Sequence, residues 1–125
     1  MIYIPNNYIF FVGGNDKKTF YLNNDNLKIK EWAYLNKKRI EPALLKISNV
    51  LYCFDNNNNN EEFTVEKTEL NNKNPQWMLL TPKIEISFDN NKFTQKFFGV
   101  AKDQENNIIF LGGSVDDPID FNNNR

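Results

Sequence analysis

The feature that most constrains this chain is its punctuation. Short runs rich in aromatic and β-branched residues recur between clusters of Asn, Asp, Gly and Lys, and helical periodicity is almost absent. That pattern is the signature of an all-β chain built from many short strands. The runs predict strands over Tyr8 to Val12, Thr19 to Leu22, Lys28 to Tyr34, Ala43 to Ile47, Val50 to Phe54, Phe63 to Glu69, Gln76 to Leu80, Lys96 to Ala101 and Ile108 to Leu111, with Ile2 to Ile4 as the end of another. One window, Trp32 to Ile47, has some helical character, but Pro42 interrupts it by removing a backbone donor and clashing with the preceding turn.

Composition matters here for what the punctuation is made of. Asn fills 23 of the 125 positions, and Asn tolerates left-handed backbone and caps bends with its own side chain, so the Asn clusters mark loops. Eleven Phe, within an aromatic share of 14%, supply the apolar area that a disordered chain lacks. Basic and acidic residues are balanced and interspersed at a formal charge of −1, so the electrostatic footprint of a nucleic-acid binder is missing. The block Lys37-Lys38-Arg39 reads as a solvated turn. The lone Cys53 sits within an apolar run and reads as a small buried hydrophobe. With no internal disulfide to make and no long apolar segment, the chain reads as soluble and cytoplasmic.

The character of the strands varies. Tyr8 to Val12 and Ile108 to Leu111 are continuous apolar runs, which predicts cover on both faces, as in stacked sheets. Phe63 to Glu69 grows more polar along its length, as expected of an outer strand.

These units repeat. Phe11-Val12-Gly13-Gly14 closes one apolar strand and Phe110-Leu111-Gly112-Gly113 closes another 99 residues later, with Leu51-Tyr52-Cys53-Phe54-Asp55 in the same register between them. The first two units go on to a Trp, at Trp32 and Trp77. An apolar strand ending in a double glycine, then an aromatic-bearing strand, then a Trp on the outer strand resembles the kelch motif, whose period is about 50 residues. The basic stretch Leu35-Asn36-Lys37-Lys38-Arg39 after Trp32 is similar to the family's lead into its next inner strand. The middle unit departs from the pattern, with Phe54-Asp55 in place of the glycines and the run Asn56 to Asn60 after it. The resemblance implies four-stranded antiparallel blades, about two and a half of them. Residues 1–34 would form a first blade, 43–80 a second and 96–121 part of a third. Propellers close with four to eight blades. This chain, which begins and ends partway through a blade, therefore reads first as a piece of a longer propeller, with self-association through open blade edges or a small open sandwich as the alternatives.

No chemistry-bearing constellation emerges beside the repeat. The chain has no histidine, which removes His-based triads and the usual zinc and copper sites. The carboxylate pairs Glu61-Glu62 and Asp116-Asp117 read as solvated loop charges. Asp116, Asp117 and Asp120 lack the alternation and glycine of a calcium loop, and Gly13-Gly14 lacks the spacing of a phosphate loop. No residue is assigned a catalytic, cofactor-binding or metal role. The resemblance implies a non-catalytic protein-protein interaction module, a scaffold or adaptor whose partner, a protein, binds on inter-strand loops. Candidate loops are Asn15 to Lys18, Asn36 to Arg39, Asp55 to Glu61 and Ser114 to Asp117. The alternatives are a propeller-type hydrolase or lyase using carboxylates or a metal, and a carbohydrate-binding module.

Overall fold

The computed structural model describes residues 1–4, 8–14, 16–54, 64–82, 95–96, 99–111 and 114–115. Among these the chain is all β, and its strands run in antiparallel sheets. The first sheet is a four-stranded meander of β1 (Ile2–Ile4), β2 (Tyr8–Val12), β3 (Thr19–Asn23) and β4 (Lys28–Glu31), in that spatial order. A second four-stranded meander takes β5 (Ala43–Ile47), β6 (Val50–Phe54), β7 (Val65–Glu69) and β8 (Trp77–Leu80). Then β10 (Gly99–Lys102) pairs with β11 (Ile108–Leu111), while β9 (Gln95–Lys96) pairs with β12 (Ser114–Val115). Lys96 opposite Ser114 keeps the register of Gly99 opposite Leu111.

The expected strands fall where the apolar runs lie. Several differ in extent. The expected Thr19–Leu22 strand runs on to Asn23, Gln76–Leu80 begins at Trp77, Phe63–Glu69 begins at Val65, and Lys28–Tyr34 ends at Glu31, while β9 and β10 overlap the expected Lys96–Ala101 strand with residues 97 and 98 outside the described ones. Beyond Glu31 the Trp32 amide still donates to the Thr19 carbonyl, and the Leu35 amide donates to the Lys17 carbonyl, each at 2.8 Å. The chain thus stays alongside β3 without a regular ladder. The window with helical character is not helical: Pro42 precedes β5, and Ala43–Ile47 pairs along its whole length with β6.

The middle sheet is covered on both faces, and its period-two alternation sorts the residues. Leu51 and Cys53 of β6, Glu66 and Thr68 of β7, and Trp77 of β8 are buried. The register sets them side by side, Leu51 opposite Thr68, Cys53 opposite Glu66 and Thr68 opposite Trp77. The apolar members of this face share a core with Phe10, Tyr8, Val12, Tyr21 and Trp32 of the first sheet. Between them lies an aromatic cluster: Phe10 stacks on Tyr21 at 5.7 Å, and Trp32 meets Phe10 and Tyr21 edge-on at 5.4 and 5.7 Å. Such pairs contribute roughly 0.5–1.5 kcal/mol each beyond their buried area. The other face carries Phe54 and Val65, packed with Tyr52, Leu80, Val100 and Ile108.

Two expectations about burial are overturned. Ile108–Leu111 is not covered on both faces. Ile109 and Leu111 are exposed, and Phe110, although edge-on to Phe54 at 5.5 Å, is 37% exposed. The reason is that the middle sheet covers only one side of the β10–β11 hairpin among the described residues. On β2, likewise, only the alternate residues Tyr8, Phe10 and Val12 enter the core, and Phe11 is exposed. The second correction concerns β7, which is an interior strand between β6 and β8 rather than an outer one. Its polar residues Glu66 and Thr68 are buried because partners on the neighbouring elements satisfy them.

The double glycine at the end of β2 has a direct structural reason. Gly13 and Gly14 have φ of +96° and +92°, left-handed backbone that side chains with a Cβ rarely adopt. A Cβ on Gly13 would lie 2.4 Å from the Pro42 Cδ and 3.0 Å from the Arg39 carbonyl. The glycine therefore lets the β2–β3 connection press against the β4–β5 connection. Gly112 and Gly113 lie outside the described residues, as does Asp55 beside Phe54.

Candidate functional site

An antiparallel meander places successive connections at alternate ends of its sheet. The β2–β3 connection and the segment 32–42 that follows β4 therefore lie at one end of the first sheet, and the β3–β4 turn lies at the other. The two former segments touch, through Gly13 on Pro42 and through the Leu35 amide on the Lys17 carbonyl. Together they form a lip beside the start of β7. Of the expected binding loops, 16–18 and Asn36–Arg39 are thus brought together. Asn15, Asp55 to Glu61 and Asp116-Asp117 lie outside the described residues, as do Glu62 and Asp120.

Beneath the lip the polar groups are committed to one another. Arg39 and Glu66 are both buried, and the Arg39 Nε donates to the Glu66 Oε2 at 3.0 Å. The guanidinium also donates to the Thr64 carbonyl at 3.2 Å and the Thr64 hydroxyl at 3.1 Å. From the other side, the Asn36 backbone amide and side-chain amide donate to the Glu66 Oε1 at 2.6 and 2.9 Å. The Lys37 amide reaches the Glu66 Oε2 at 3.3 Å. Asn36 also donates to the Trp77 carbonyl at 2.8 Å. A buried charge without such partners costs several kcal/mol. Here one carboxylate holds both a guanidinium and two consecutive backbone amides.

This corrects the reading of Lys37-Lys38-Arg39 as a solvated turn. Lys38 is solvated, but Arg39 is 2% exposed and points inward. Its partner Glu66, 27 positions later in sequence, is the functional-looking residue that sequence reasoning missed. The signal lay in the alternation of β7, which puts Glu66 on the same face as Thr68, and it becomes legible only once the pairing of β6 with β7 sets Glu66 opposite Cys53.

The two tryptophans fasten the same space from opposite sides. The Trp32 indole of the first sheet donates to the Thr68 hydroxyl of the second at 3.1 Å. The Trp77 indole of the second sheet donates back to the Ala33 carbonyl at 3.0 Å. The Thr19 hydroxyl, fully buried, donates to the same carbonyl at 2.6 Å. Each indole thus buries its rings in the shared core and spends its only donor on the other layer.

The exposed part of the lip is of a different kind. Lys17, Lys18 and Lys38 are solvated, Lys37 is half-buried with its Nζ 3.5 Å from the Thr64 hydroxyl, and Tyr34 and Ile40 are 57% and 51% exposed. Among the described residues, no three His, Cys, Asp or Glu side chains gather as metal ligands. No helix of the described residues is long and apolar enough to cross a membrane. Compared with known proteins, the chain matches no family model and no curated protein.

Proposed function

We propose that this chain is a non-catalytic protein-interaction module of kelch type, a scaffold or adaptor element that presents the lip between its first two sheets to a protein partner. In this reading β1–β4 is a first blade, β5–β8 a second, and β10–β11 the inner strands of a third. Four things support the blade reading. The four-stranded antiparallel meander occurs twice, the two copies share a core, Gly13 lets the β2–β3 connection approach Pro42, and the two Trp indoles hydrogen-bond across from one sheet to the other layer. The burial of Cys53 in the shared core accords with its reading as a small hydrophobe in a reducing, cytoplasmic setting.

The observation that carries the functional reading is the division of labour at the lip. The charged groups Arg39 and Glu66 are buried in mutual hydrogen bonds, while Tyr34 and Ile40 of the same connecting segment as Arg39 are exposed. Interaction surfaces combine such exposed apolar and aromatic groups with a rigid support. Affinity capture followed by mass spectrometry tests it, comparing Tyr34→Ser with Ile40→Ser against Leu27→Asn at the opposite end of the first sheet. Partners should be lost with the lip variant and kept with the control, at equal thermal stability. Identical capture by both, or catalytic turnover by the purified chain, would defeat the reading.

A further inference from the structure

Read along the sequence, the lysines of this chain are interspersed with acids and mark no face. The fold gathers two pairs of them. Lys17-Lys18 lies on the β2–β3 connection and Lys37-Lys38 on the β4–β5 connection, and the hydrogen bond from the Leu35 amide to the Lys17 carbonyl holds the connections side by side. Among the described residues two carboxylates, Asp16 and Glu41, share this lip. The Asp16 Oδ1 accepts from the Lys17 amide at 2.6 Å. Among the described residues the lysines of the lip therefore outnumber its carboxylates, and Tyr34 and Ile40, on the same segment as Lys37 and Lys38, are exposed.

We propose that the lip binds a short acidic peptide segment that also carries an apolar side chain. This rests on the interaction-module reading and names the chemistry of its partner. Charge complementarity selects an anion, and the interleaved Tyr34 and Ile40 call for apolar contact that phosphate or sulfate alone does not offer. The chain as a whole carries a formal charge of −1, so no continuous positive track for a long polyanion follows from its charge balance, and a segment of a few residues suits the lip.

The probe is a short fluorescein-labelled peptide of Glu and Ser with one central Leu, followed by anisotropy on the full chain. Binding should weaken several-fold as salt rises from about 0.05 to about 0.5 M, as screened surface attraction requires. Lys17→Glu with Lys38→Glu should weaken it by about tenfold or more, while Lys28→Glu with Lys30→Glu on the exposed strand β4 should leave it unchanged. Replacing the central Leu by Ser should cost affinity. Equal loss from the β4 control, no binding at low salt, or tighter binding of an oligothymidylate or of phosphatidylserine vesicles than of the peptide would overturn the proposal. If the peptide fails while Tyr34→Ser with Ile40→Ser still abolishes partner capture, this inference falls and the interaction reading stands. If that variant also captures normally, both fall.

Discussion

At the scale of the residue, Glu66 does the most to join the first two sheets. It lies on β7, yet its partners Asn36, Lys37 and Arg39 all belong to the segment that follows the first sheet. Removing one member of a buried pair leaves the other charge unpaired, which costs roughly 3–5 kcal/mol. Arg39→Met should therefore lower the free energy of unfolding by about that amount in urea titration. Glu66→Gln removes the counter-charge of the buried Arg39 guanidinium and should cost a similar amount, although its amide oxygen can still accept from Asn36. Glu66→Leu orphans the Asn36 and Lys37 amides and should be the worst of the three. An equal cost for Gln and Leu would show that the backbone amides find other partners. The sequence offered half of this. Arg39 stands out as part of a basic block that by itself predicts solvation, because nothing local announces a carboxylate so far along the chain.

At the scale of the element, the strands were legible and the turns were nearly so. Asn clusters predicted bends, and several of these Asn and Asp side chains do cap them. The Asn23 Oδ1 accepts from the Asp25 amide, the Asn26 Oδ1 from the Lys28 amide and the Asn72 Oδ1 from the Asn74 amide. The β10–β11 hairpin is the fullest case. The Asp103 carboxylate accepts from the Glu105 amide at 2.8 Å, the Asn107 amide at 2.9 Å and the Asn107 side chain at 3.0 Å. Those hydrogen bonds, the Asn107 side chain foremost, hold the Asp103 pKa below its ordinary value of 3.8. A carboxyl depressed in the folded state lends its stabilisation above the unfolded value and loses it as pH falls through the folded one. The hairpin should thus keep its turn at neutral pH and loosen only below about pH 3.8. Carbon-detected NMR titration should place the Asp103 midpoint below that of a free aspartate. Asn107→Ala should move it back upward, and an unmoved midpoint would mean the cap is not formed in solution. At β7 and β11 polarity does not track exposure, nor apolarity burial: Glu66 and Thr68 are buried while Ile109 and Leu111 are exposed. Each depends on what packs against the strand, which lies elsewhere in the sequence.

At the scale of the whole molecule, apolar surface remains where the described sheets end. Ile109 and Leu111 stand out on β11, and Met78 and Leu79 stand out on β8, the last strand of the middle sheet. Unlike β4, with Lys28, Lys30 and Glu31, β8 carries no charge to discourage pairing, and edges of that kind invite association. Light scattering should show concentration-dependent self-association that Met78→Lys with Leu111→Lys suppresses. A monomer at all concentrations would mean these edges are covered within the chain. The amino-acid sequence by itself determined the all-β class, the position of the strands and the turns between them, because period-two patterning and turn chemistry are local properties. Only the tertiary structure decided which polar residues are buried, which lysines meet, and that Gly13 must be glycine because Pro42 occupies its Cβ position. Those facts depend on pairs such as Arg39 with Glu66 and Lys17 with Leu35, which the folding of one connection against another brings together and which no window of sequence contains.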